Sequence, residues 1–289
     1  MDLNKTTAFM AKHARLIDRR RFDVITGHGD TGGLLSALAG YGNPDGGFGW
    51  GLEPDLRSPE SQPAGALHAF EVFEEAGPDT GGATTRLCDW LASITLPDGG
   101  LPFALPLIEP AGSSPWWVQA DSTRSSLHLT AAIAAAAHEV AKSDPAVREH
   151  EWLARVTDYC RQQITALAEP GHAMEFRYVL WFLDAAHDGW PGADDELRRL
   201  GEFIPENGTL AVEGGTEGEA MRPLDLSPRS GSPLRDILSP ETIKADLERL
   251  AGLRQDDGGW VVDFTSQSAA GALEWRGYAT VSAVKILTS

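Results

Sequence analysis

Cysteine is scarce. The 289-residue chain has two, Cys88 and Cys160, which excludes a disulfide framework and a four-cysteine zinc site and suits a reducing cytoplasm. Basic residues are also few, 24 Lys and Arg against 42 Asp and Glu, for a net charge of −18. Duplex binding needs clustered Lys and Arg. The one basic cluster, RLIDRRRF at 15–22, is short and reads as the polar end of a helix, so no nucleic-acid partner is expected. The acidic excess speaks to solubility rather than to fold. Long apolar runs are missing too. The N-terminus, MDLNKTTAFMAKHARLIDRRRF, has no apolar segment of the secretory kind. The stretch LTAAIAAAAHEV at 129–140 is too short and too alanine-rich to span a bilayer. A cytoplasmic chain without a membrane span is the expectation.

What is present is an ordinary globular composition, 42% hydrophobic, and a repeated phrase. NPDGGFGW begins at Asn43, LPDGGLPF at Leu96 and QDDGGWVV at Gln255. The aspartates before Gly-Gly are Asp45, Asp98 and Asp257; the first gap is 53 residues and the second is 159, three such intervals. A fixed period of this size signals stacked supersecondary units. It predicts degenerate copies near 151 and 204. IPENGTL at 204–210 fits the second; for the first, the nearest candidate is AEPGHAMEF at 168–176, displaced by about 18 residues.

Between the phrases the chain reads as helix. At 84–94, Leu87, Trp90, Leu91 and Ile94 fall at i, i+3, i+4, i+7. Helices are also expected at 121–140, 146–168, 174–188, 240–253 and 270–287. The 174–188 segment is apolar almost all round and should be buried. An amphipathic helix, a glycine-rich loop and a more apolar helix make one unit, and the length allows five to six units of 53 residues. Six hairpins can close into a ring with the apolar helices inside. In the loops, Gly-Gly supplies positive φ and Asp caps the turn, so these aspartates read as structural. The Pro-, Gly- and Ser-rich stretch at about 205–240 is either the least regular hairpin or a lid.

The phrases LRQDDGGW, NPDGGFGW and LPDGGLPF, each followed by a small-residue-rich helix such as RGYATVSAVKIL, resemble the QW-type repeats of the terpenoid cyclase and protein prenyltransferase superfamily. That resemblance implies a single all-α domain over 1–289, an (α/α)6 toroid with a central cavity. The acid motifs of the characterised cyclase branches are absent, with no Asp-x-Asp-Asp and no Asp-Asp-x-x-Asp, and neither Cys88 in LCDW nor Cys160 in DYCR is expected to serve a prenyltransferase-type zinc. Fold analogy alone does not supply the chemistry.

In such a ring the starts of the inner helices converge on one mouth. The candidates there are Trp50, Asp55, Arg57 and Gln62; Trp117, Asp121 and Arg124; Glu175 and Arg177; Asp225; and Asp263, Glu274 and Arg276. Asp121 is either a helix N-cap or a buried acid with a raised pKa; with Asp263 as second choice, it is the expected catalytic acid. Glu175/Arg177 and Glu274/Arg276 repeat one pattern on helices expected to be buried, as ion pairs between helices or as charges around a ligand. The eight histidines are scattered; His68 and His128 occupy similar places in two helices without an evident third ligand, so neither metal nor cofactor is expected. The leading expectation is an enzyme acting on a hydrophobic small molecule, an isoprenoid cyclase or isomerase that uses a carboxylic acid beside cation-stabilising aromatic faces. A carbohydrate-active toroid with two carboxylates and a non-catalytic binding or scaffold protein are the alternatives.

Overall fold

The computed structural model describes residues 2–289, and 56% of the chain is helical. The helices are α1 (Asn4–His13), α2 (Leu16–Ile25), α3 (Thr31–Ala39), α4 (Pro63–Ala76), α5 (Ala83–Ile94), α6 (Pro115–Val118), α7 (Leu127–Ala141), α8 (Pro145–Arg148), α9 (Glu151–Ala166), α10 (Ala173–Ala185), α11 (Ala193–Gly201), α12 (Pro223–Leu226), α13 (Pro240–Gly252) and α14 (Ala269–Thr288). Among the described residues the strands amount to one two-residue antiparallel pair, β1 (Leu210–Ala211) with β2 (Ala220–Met221). The class is all-α. No helix is long and apolar enough to cross a membrane.

Local chemistry corrects two expected helices. The helix expected from residue 121 starts at Leu127, because Ser126 is its N-cap and accepts the Leu129 N–H. Asp121 closes an earlier turn instead, accepting the backbone and hydroxyl of Thr123 at 2.9 and 2.6 Å. The single helix expected at 146–168 is two. Asp144 caps α8, and an extended His150 interrupts the chain to cap α9 through its ring nitrogen.

The glycine phrases fold into one turn, made repeatedly. Gly46, Gly99 and Gly258 take φ of 94°, 96° and 95°, a region open to glycine and strained for side chains. In each, the aspartate accepts the second glycine's N–H, at 2.9 Å for Asp45, 3.2 Å for Asp98 and 3.1 Å for Asp257. The copy expected near 204 is present in the same geometry: Asn207 accepts the Thr209 N–H at 3.0 Å around Gly208, whose φ is 66°. At 168–176 the turn is absent. Gly171 is not left-handed, and His172 caps α10 directly.

The first three of these turns each lie against a later helix. A Cβ on Gly46 would stand 2.7 Å from the Arg86 carbonyl of α5, one on Gly100 2.6 Å from the Tyr159 ring of α9, and one on Gly208 3.1 Å from Thr242 of α13. The last turn meets the first helix. A Cβ on Gly258 would fall 2.3 Å from the Lys5 carbonyl carbon, and the Thr6 hydroxyl donates to the Gly258 carbonyl at 2.9 Å. The two ends of the chain are thus joined through α1.

Small residues set the packing inside. α7 lies between α4 and α10, and Ala131, Ala132, Ala134 and Ala137 are wholly buried. A helix covered on two sides needs such a surface if its neighbours are to approach. α2 packs on α4 and α14, and α10 on α12. A smaller cluster of Phe9, Met10, Phe22, Trp260, Val281 and Val284 seals α1, α2 and α14. Cys88 and Cys160 are buried free thiols. The segment 205–240 contains the β1–β2 pair, α12 and a 3-10 turn, Pro233–Ile237. It is fastened to α10, whose Trp181 indole donates to the carbonyls of Asp225 and Leu226 at 3.0 Å.

Candidate functional site

Helical spacing collects one group of polar and aromatic side chains. His68 and Glu71 on α4, Tyr178 and Trp181 on α10, and Trp275 and Tyr278 on α14 are each three residues apart, so each pair shares a helix face. Tyr278 lies edge-on to His68 at 5.2 Å between ring centroids and to Trp275 at 5.5 Å. Tyr178 is 5.3 Å from Trp181 and 5.1 Å from His128. Phe103, stacked on Trp117 at 4.6 Å, continues the wall beside His128. Tyr178, Trp181, Trp275 and Tyr278 are half-buried rather than sealed.

His68 stands between two carboxylates. Its Nε2 lies 2.8 Å from Glu53 and its Nδ1 3.2 Å from Glu71. Burial alone would depress its pKa, but the two acids outweigh burial and raise it to about 9. Both ring nitrogens then donate at neutral pH. Glu71, which also receives the Tyr278 hydroxyl at 2.8 Å and Arg21 at 3.3 Å, is drawn down to about 2 despite its burial. His128 behaves in the opposite way. Burial and the nearby Arg177 push it down to about 3, leaving a neutral ring.

Asp55 is the carboxyl with the opposite shift. It is 4% exposed, and it accepts Ser266 Oγ at 2.8 Å and the Trp275 indole at 2.9 Å. Burial raises its pKa against the pull of those two donors. Ser266 Oγ, a rotatable donor and acceptor, is the partner that can turn to take the carboxyl proton.

Arg177 is half-buried on α10, with its guanidinium 4.3 Å over the Tyr178 ring and 5.2 Å from that of Trp181. It donates to the Tyr178 hydroxyl, and its Nε is buried with no acceptor. Among the described residues no carboxylate forms an ion pair with it; the charge of Asp225 acts from further off. Below the aromatic wall, by contrast, every cation is matched. Arg21 holds Glu75 through two bonds of 2.8 Å, Arg229 holds Glu74 at 2.7 and 3.1 Å, and Lys285 lies 3.5 Å from Glu74. These pairs tie α2, α4, α14 and the segment after α12.

The residues expected at the mouth divide. Asp55, Arg57, Arg177 and Glu274 meet around this group, with Arg57 forking onto Glu274. Asp121 is exposed, and its hydrogen bonds to Thr123 lower its pKa, the reverse of the buried acid expected there. Asp263 is also exposed; Arg222 is 4.0 Å away and its carbonyl accepts Thr216 Oγ1. Trp50 is 59% exposed and donates to Asn43. Gln62 is occupied by the backbone of Leu105. Trp117 is buried, and Arg124 is exposed. Glu175 is half-buried, and burial raises its pKa. Asp225 caps α12 through the Arg222 N–H, and burial raises its pKa as well. Arg276 turns away from Glu274. It donates to Asp257 at 2.9 Å and covers the Phe9 ring at 4.5 Å, because the α13–α14 turn needs a donor where the Asp45 and Asp98 turns have Ser61 and Ser125. Glu71, Arg21 and Tyr278 escaped the sequence reading. A His and a Glu three apart on a helix with no polar face were the signal for Glu71.

No protein-family model matches the chain, and a comparison with curated proteins finds no match.

Proposed function

We propose that this protein is a small-molecule enzyme of terpenoid-cyclase type, built as a closed ring of six helical hairpins, with Asp55 as its acid. The ring reading rests on the turns that dock on successive outer helices and on the last turn's seat on α1. The chemistry rests on one observation: a buried carboxyl with a raised pKa sits beside a half-buried aromatic wall. A neutral Asp55 gives its proton, directly or through Ser266, to an alkene carbon or epoxide oxygen. The faces of Trp275, Tyr278 and Tyr178 stabilise the resulting cation. Loss of a proton from the neighbouring carbon to the Asp55 carboxylate restores the acid and leaves a rearranged alkene. Arg177, without a carboxylate of its own, favours a ligand with one anionic end and an apolar body.

The carbohydrate reading has less support. Its two carboxylates would have to be free to act, and two acids of this group, Glu53 and Glu71, are bridged by His68. A non-catalytic binding protein remains the second reading, because both oxygens of Asp55 already accept hydrogen bonds. The test is incubation with linear isoprenoid alkenes, epoxides and acids, followed by product analysis. The expected result is a cyclised or isomerised product that disappears in D55N and persists in D121N. Tryptophan-fluorescence titration with turnover absent in every case would favour the binding protein. Turnover that survives in D55N would remove Asp55 from the chemistry.

A further inference from the structure

A cleft of about 250 Å³ opens on the outside of the molecule, between the C-terminal part of α7, the short α8 and the middle of α9. Its floor is apolar, with Ala141 and Leu153 buried. Two guanidinium groups, Arg148 and Arg161, line it together with His138 and Thr157. In a chain of net charge −18, a cleft lined by two arginines and one acid, Asp158 on the exposed face of α9, runs against the general field.

The arginines are poorly satisfied by the protein. Arg161 donates one Nη2–H to the Gly189 carbonyl at 2.6 Å and lies 5.6 Å from the Trp190 ring centroid, and its Nε is buried without an acceptor. Among the described residues it forms no ion pair, although Asp158 lies three positions before it on the same helix. Arg148 gives Nη1 to the Ala141 carbonyl at 3.2 Å, and its nearest carboxylate, the exposed Glu149, is 4.0 Å away. An exposed pair at that distance contributes little. His138 adds no charge. Its Nε2 is 2.8 Å from the Thr157 hydroxyl, and burial together with Arg161 pushes it down to about 4. The cleft therefore presents two permanent cations beside a neutral imidazole and an apolar floor.

We propose that this cleft is a second site, independent of the aromatic wall, that takes the oxyanion of a small metabolite between Arg148 and Arg161. Guanidinium groups match carboxylate and phosphate oxygens in planar, charge-assisted pairs. The volume lies below that of pockets for drug-sized ligands, so the ligand is compact, a phosphate ester or a small carboxylic acid. The whole chain is titrated with inorganic phosphate and, separately, with citrate at constant ionic strength, by calorimetry and by thermal melting. Saturable binding of either anion is expected, with a raised melting temperature. R148Q and R161Q should each weaken it about tenfold or more, the loss expected for a charge-assisted hydrogen bond, while R198Q, at an exposed arginine of α11, leaves it unchanged. Phosphate-only binding identifies a phosphate ester, and citrate-only binding a carboxylate. R148Q stays informative if R161Q fails to fold, because Arg148 is half exposed at 52% of its side chain. Absence of binding by both anions, binding that survives R148Q, or binding abolished by R198Q overturns the proposal.

Discussion

Two parts of the molecule differ in how their charges are partnered. Toward the C-termini of α4 and α14, Glu74, Glu75 and Lys285 join Arg21 and Arg229 in a network where each charge has an opposite one in contact. Toward the N-termini of α7 and α10, a neutral His128 and an Arg177 without an ion-pair partner among the described residues lie against a wall of half-buried rings; beside them Asp55 has a raised pKa. A matched buried pair holds a geometry and offers a ligand nothing, whereas an unmatched charge or a raised acid costs folding energy unless a ligand completes it. One part therefore reads as the fastening and the other as the working face.

The fastening should break hardest. Arg21→Ala leaves Glu75, whose side chain is 3% exposed, with only the more distant Lys285 at 3.6 Å, and should cost about 3 kcal/mol in urea unfolding. A loss below about 1 kcal/mol would mean that the network is solvated.

His68 sharpens the boundary between the two parts through pH. Its folded pKa is raised from 6.5 to about 9, so its contribution is fully present below pH 6.5 and is lost as pH rises through about 9. Glu71 runs the other way: its pKa falls from 4.5 to about 2, so its share is present above pH 4.5 and is lost as pH falls through about 2. Wild-type stability should drop by a few kcal/mol between pH 6 and 9.5. His68→Gln should lower stability at pH 6 and flatten that alkaline limb. A limb unchanged in His68→Gln would show that another group titrates there.

The turns belong to neither part and test the repeat. Gly46→Val must place a side chain at φ 94° against the Arg86 carbonyl, which should cost about 1–3 kcal/mol or more. Asp45→Asn keeps an acceptor for the Gly47 N–H and should shift stability by less than about 1 kcal/mol. Equal effects of the two would detach the turn from its docking role.

The smallest effect concerns coupling at the working face. Glu274 pairs with Arg57 and Arg276 with Asp257, so Glu274→Ala and Arg276→Ala should add within about 0.5 kcal/mol in the double variant. A clear interaction energy would instead show that the two charges share one network.

Much of the scaffold was legible because it depends on local rules. The 53-residue interval located the Asn207 turn in a stretch with no Asp-Gly-Gly, since Asn accepts the same hydrogen bond and Gly208 also supplies a positive φ. The site was less legible. Asp55 appeared among many acids of one loop, and nothing in its neighbours in sequence foretells that Ser266 and Trp275, more than 200 positions away, would cover it. Asp121 failed as the buried acid for the same reason. A residue's depth depends on what packs over it, and Thr123 alone holds its carboxylate at the surface.

By itself the sequence determined the all-α class, the repeated turn and the rough extent of several helices, because periodicity, capping and left-handed glycines act over a few residues. Only the tertiary structure decided which charges are partnered. Arg276 could have met Glu175 and meets Asp257; Arg177 could have met Glu274 and meets two rings. Ion pairing and desolvation are set by distances between helices far apart in the chain, and it is those distances that raise the pKa of Asp55 and leave Arg177 without an ion-pair partner among the described residues.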